Sequence, residues 1–143
     1  MVFNDANWIA VLVSLIIAVV LGTLWYGPLF GKKWMKLMGI SQKQVADAKK
    51  KGAIKSGMAL SYLIMMISTV IMICVLGLFL QMTGTAGTIE GAMIGFWVWL
   101  GFMATVSTGQ VTWEGKPWSL WLINNGYQLV NMLIIGAILG TWQ

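Results

Sequence analysis

Two side chains are missing altogether: the 143-residue chain has no histidine and no arginine. Without imidazole there is no base poised near neutral pH, no His-ligated haem and no ordinary zinc or di-iron site. Without guanidinium there is no bidentate clamp for phosphate or carboxylate. Cysteine occurs once, as Cys74, so no intrachain disulfide can form; inside an apolar stretch it reads as a small hydrophobe. The acids are limited to Asp5, Asp47, Glu90 and Glu114. No Ser-His-Asp or Cys-His set can be assembled, and no glycine-rich phosphate loop closes on Lys-Ser/Thr. The chain is therefore expected not to be an enzyme and to need no cofactor. Charged residues make up only 9%, against about 25% in an average soluble domain, and there are only two prolines. Those scarcities exclude a soluble globular protein, a disordered chain and a collagen-like one.

What is present in their place is apolar: 59% of residues are hydrophobic and mean hydropathy is +0.83. The expected fold class is an all-α membrane protein, a single four-helix domain over 1–143. A span needs about 20 apolar residues, and four stretches supply them, at about 8–27, 57–80, 90–111 and 118–140. The first is not read as a cleaved signal peptide: it has no basic leader, is preceded by Asp5, and its apolar run is too long.

Lysine sets the direction. Lys32, Lys33, Lys36, Lys43, Lys49, Lys50, Lys51 and Lys55 all lie in the 28–56 loop after span one, and Lys116 lies between spans three and four. With four spans these loops share a side, and the positive-inside rule places both in the cytoplasm and both termini outside. The one-sided bias argues against dual topology. The expected location is the bacterial inner membrane. The net charge of +5 points to anionic lipid head groups as partners rather than nucleic acid.

The basic loop reads as two helices. Pro28 suits the first position of a helix on which Phe30, Trp34, Leu37 and Met38 share one face and lysines another. Trp25, Tyr26, Phe30, Lys32, Lys33, Trp34 and Lys36 are accordingly expected to be interfacial and lipid-facing, as anchor or as lipid sensor. Further on, Ser41 and Gln44 fit a capping box, Ile40 and Val45 a hydrophobic staple, and Gly52 a helix end. Asp47 stands four residues before Lys51, as in a helical ion pair. The tight 112–118 loop sets Trp113, Glu114 and Lys116 at the inner surface, as a surface ion pair or as the mouth of a pathway. A Trp-x-Gly followed by proline after spans one and three allows an ancient duplication, though interfacial tryptophans produce the same spacing.

Span four carries the most information. Asn124, Gln128 and Asn131 fall on one helical face, with Gln128 about 15 Å and Asn131 about 20 Å from the Trp118 end. Thr105 and Thr108 of span three are the expected facing hydroxyls, with Ser107 and Gln110 nearby. Two readings stay open: amides as glue between helices, or amides lining a path for a neutral or weakly charged solute. No ionisable group sits at mid-membrane, which disfavours proton coupling. Gly91, Gly95, Gly136 and Gly140 form two G-x-x-x-G pairs for close helix packing, within the bundle or between copies. Eleven methionines raise copper, but without His or paired Cys they read as gap-fillers, and no metal is expected.

Several strings resemble a known family. They are Asn7-Trp8 through Gly22, Leu24 to Lys32 with Trp34-Met35 and Met38-Gly39, Leu100 to Thr105, Trp113 to Trp118, and Gly126 to Val130 with Gly136 to Gly140. Nearly the whole chain thereby resembles the bacterial domain-of-unknown-function 1761 family. That resemblance implies a small four-span inner-membrane protein with no established activity. Family members often carry an acid just before the Gly-Tyr segment, where this chain has Asn124-Asn125. The functional expectation is a homo-oligomeric passive channel or carrier for a small solute, lined by Asn124, Gln128, Asn131, Thr105 and Thr108. The alternative is a non-catalytic accessory or scaffold protein that binds lipid or a larger membrane complex.

Overall fold

The computed structural model describes residues 7–55 and 57–142; Asp5 lies outside them. Among the described residues all regular structure is helical. Helix α1 (Trp8–Leu24) starts where the Asn7 side chain accepts the Ala10 N–H at 3.2 Å. It continues into a π-helical turn, Trp25–Leu29, closed by Phe30 N–H donating to Trp25 O at 2.9 Å. Pro28 thus does not open a new helix but sits inside the wide turn. A proline has no N–H to give and its ring crowds the preceding turn, so widening the helix accommodates it. Next come α2 (Gly31–Leu37), α3 (Gln42–Lys55), α4 (Met58–Thr83) and α5 (Thr88–Val98). A second π segment, Trp99–Ala104, leads into the short α6 (Thr105–Ser107) and α7 (Gly109–Thr112), and α8 (Trp118–Thr141) ends the chain.

Four continuous helical stretches are long and apolar enough to cross a membrane: Trp8–Leu29, Met58–Thr83, Thr88–Thr112 and Trp118–Thr141. The molecule is a multi-pass α-helical membrane protein. Its spans alternate in direction, so α2, α3 and the 112–117 loop lie at one end, here the lysine end. Asn7, the 84–87 turn and Trp142 lie at the other, the terminal end, where Asn7 Nδ2 reaches Trp142 O at 3.5 Å.

Helix α8 is the axis against which the other spans pack. Its Met132, Ile135 and Leu139 meet Ile73, Leu76 and Leu80 of α4 and Ala10 and Ala18 of α1 in one buried cluster. Its other side meets α5 at backbone range. A Cβ on Gly91 would strike the Gly136 carbonyl, one on Gly95 the Met132 carbonyl, and one on Gly140 the Gly87 carbonyl. Gly87 N–H donates to Gly140 O at 2.8 Å, closing that contact at the terminal end. Lipid tails are as apolar as leucine, so such close packing, rather than escape from water, is what draws membrane helices together.

The lysine half of α4 packs differently. From residue 59 to residue 68 every side chain but that of Met66 is exposed. Helix α3 at this end begins with a reciprocal cap: Ser41 N–H donates to Gln44 Oε1 at 2.8 Å and Gln44 N–H to Ser41 Oγ at 3.2 Å. Its helical geometry breaks at Gly52, where φ is 79°. That left-handed value suits glycine and few other residues.

Candidate functional site

Residues 121–128 of α8 are gripped from two sides. From the α1 side, Trp25 Nε1–H donates to the Ile123 carbonyl at 2.9 Å, and the Trp25 ring edge would come within 3.2 Å of a Cβ on Gly126. Tyr26 O–H and Trp34 Nε1–H both donate to Asn124 Oδ1, at 3.0 and 3.2 Å. The rings pack on one another: Trp25 with Phe30 at 4.9 Å between centroids, Tyr26 with Trp34 at 5.6 Å and with Tyr127 at 5.4 Å. Tyr127 O–H donates to Ala18 O at 3.2 Å, close over Gly22.

This corrects the expectation for four aromatic residues. Trp25, Tyr26, Phe30 and Trp34 are half-buried and turned onto α8 rather than facing lipid. The π turn is the physical reason: it rotates α2 back toward the bundle, and Gly31, whose Cβ would strike Tyr26 O, lets the chain fold that tightly. Lys32, Lys33 and Lys36 remain exposed. Trp113, the proposed repeat partner of Trp25, is 91% exposed and does nothing comparable. The residue that acts like Trp25 is Trp99. It too lies in a π segment, and its Nε1–H donates to the Asn125 carbonyl at 3.0 Å.

The α5–α6 side is built around Asn125, which is 5% exposed. Its Oδ1 accepts from Ser107 O–H at 3.0 Å and its Nδ2 donates to Trp121 O at 3.1 Å. Ser107, not Thr105 or Thr108, is therefore the span-three hydroxyl that meets span four. Thr105 is exposed and donates to Gly101 O at 2.8 Å, and Thr108 donates to Thr105 O at 2.6 Å. Both return their protons to their own helix, as isolated hydroxyls in apolar helices do. Asn124 is likewise no free lining group, since its oxygen already accepts two hydrogen bonds.

Beyond this clasp, toward the terminal end, Gln128 Oε1, Asn131 Oδ1 and Ser14 Oγ are buried without a hydrogen bond, as is Trp121 Nε1 at the lysine end of α8. Asn131 is 2% exposed and Ser14 fully buried. An unpaired buried polar group costs about 1–3 kcal/mol. Sequence reasoning missed Ser14. The available signal was its place in an Ala10-Ser14-Ala18 row, four residues apart, where small side chains mark a face in close contact. Trp113, Glu114 and Lys116 are all exposed in the 112–117 loop, where no side-chain contact joins them to the amides. Among the described residues no three acids or cysteines gather as a metal site.

A four-span bundle with polar groups concentrated along its last helix defines the class: a multi-pass membrane protein built on one central span. The chain belongs to the family described as "Protein of unknown function (DUF1761)", whose model matches residues 9–140. No curated protein and no solved structure matches it.

Proposed function

We propose that this is a non-catalytic protein of the bacterial inner membrane that gives a small uncharged solute a passive route, as a channel or carrier. One observation carries the reading: Gln128 Oε1 and Asn131 Oδ1 are buried in a membrane span without partners. In lipid such atoms call for a water molecule or a ligand. Both termini face outward, and the lysine loop lies on anionic lipid heads through Lys32, Lys33 and Lys36. Trp113, Glu114 and Lys116 border the inner mouth. A homo-oligomer would add walls that four helices alone supply sparingly. The test is flux of a small solute into proteoliposomes. Gln128→Leu is expected to abolish it while leaving assembly intact; undiminished flux in that variant overturns the reading.

A second reading has its own support. Asn124 and Asn125 are spent on bonds within the chain, as expected of glue between helices. That favours an accessory protein whose lysine loop meets lipid or a larger membrane complex. It predicts no flux of any solute, and a stoichiometric membrane-protein partner on gentle extraction.

A further inference from the structure

We infer that Ser14, Gln128 and Asn131 form a hydrated site, buried at mid-membrane between α1, α4 and α8, for a small uncharged molecule with N–H or O–H donors. The role of the site rests on the solute-route reading; its existence rests on the geometry alone. Among the described residues Ser14 is the hydroxyl that is both buried and without a hydrogen bond. Thr23, Ser61, Thr69 and Thr141 each donate to the carbonyl four residues back. Ser14 does not, although it is the most deeply buried of them. Its neighbours one turn away, Ala10 and Ala18, are part of the buried cluster, so its hydroxyl stands in the same interface.

The opposing wall is α8, and the register between the two helices is set at several points. Asn7 reaches Trp142 O, Tyr127 reaches Ala18 O and Trp25 reaches Ile123 O. Between those points Ser14 lies near the level of Asn131, with Gln128 about 4.5 Å further toward the lysine end. Asn131 stands one turn before Ile135 and directly before Met132, both in the cluster. On the terminal side, Leu76, Leu80, Ile135 and Leu139 close the interface with buried apolar side chains. On the lysine side, Tyr127 on the Ala18 carbonyl and Trp25 on the Ile123 carbonyl bound it. The site is thus enclosed between the aromatic clasp and the apolar cluster.

Its chemistry selects the ligand. Two amide oxygens and a hydroxyl offer acceptors, and no formal charge accompanies them. Asp47, Glu90 and Glu114 are exposed outside the bundle interior, so a cation entering here would meet no counter-charge. An anion would meet no cationic side chain. An uncharged donor, such as water, ammonia or urea, satisfies all three atoms without stranding a charge.

Two measurements on the full chain in proteoliposomes test the inference. Hydroxyl-radical footprinting reports held water through Met132, which is 1% exposed but adjoins the site. We expect Met132 to be oxidised in the wild type, and oxidised several-fold less in Ser14→Ala, which preserves packing, and in Asn131→Leu. Met82, which is 78% exposed, serves as the internal reference. Light scattering after a urea step measures flux, with a potassium gradient as the charged alternative. A protected Met132 in the wild type overturns the site. Labelling without urea flux keeps the site and overturns the solute-route reading. Urea flux that both variants leave unchanged overturns the site while that reading stands. Potassium flux in place of urea flux overturns the uncharged ligand class.

Discussion

The two halves of α8 are held by different forces. Its terminal half lies backbone against backbone on α5 through Gly91, Gly95, Gly136 and Gly140, and buries Met132, Ile135 and Leu139 against α4 and α1. Its lysine half is held by indole, phenol and serine donors that converge on Ile123, Asn124 and Asn125. Helices in lipid have few other means of association, and here the two are segregated along one helix. Close packing tolerates almost no added volume. Hydrogen bonds tolerate changes of volume but need their donor and acceptor. The unpartnered atoms of Ser14, Gln128 and Asn131 fall where one regime gives way to the other.

That contrast can be broken at its strongest point first. Gly91→Ile places a branched side chain against the Gly136 carbonyl, and we expect a loss of about 3 kcal/mol or more, read by thermal unfolding in detergent. A melting temperature within the error of the wild type would mean that this contact is not the anchor. Next, Leu76→Ala is expected to cost about 2–5 kcal/mol, because Leu76 is 1% exposed and its loss leaves a cavity. Leu63→Ala, on the same helix but 56% exposed, is expected to stay within about 0.5 kcal/mol. Equal effects would abolish the distinction between the halves of α4.

The polar grip is expected to give smaller changes. Asn124→Leu leaves the Tyr26 hydroxyl and the Trp34 indole without their acceptor, for about 2 kcal/mol. Trp34→Phe removes one donor and is expected to cost about 1 kcal/mol. Because the two donors share one oxygen, the Tyr26→Phe and Trp34→Phe effects should be non-additive in a double-mutant cycle; strict additivity would show that they act separately. Least of all, Ser41→Ala should speed amide exchange at the start of α3 through a local loss of about 1 kcal/mol and leave global melting unchanged.

Much of this architecture was legible in the residues. Four helices long and apolar enough to cross a membrane were legible because length and apolarity are written in the residues directly. The Ser41–Gln44 cap and the break at Gly52 were legible because both are local, settled within a few residues. The aromatic residues of 25–34 were misread for the converse reason. Their composition suits an interface, but the π turn around Pro28 redirects them, and nothing in a helical wheel anticipates a turn of different pitch. Thr105 was preferred over Ser107 on the same ground: periodicity counted through the Trp99–Ala104 π segment arrives on the wrong face.

Composition and pattern by themselves determined that the chain has four helices long and apolar enough to cross a membrane and that the fourth carries the polar side chains. They determined this because burying apolar length and placing lysine are properties of segments. Which amides are spent and which are left free was decided only by the tertiary structure. Asn124 and Asn125 find donors contributed by residues 26, 34 and 107, whereas the side-chain oxygens of Gln128 and Asn131, one and two turns on, accept no hydrogen bond. Partnership is a relation between helices distant in the chain, and only their packing can settle it.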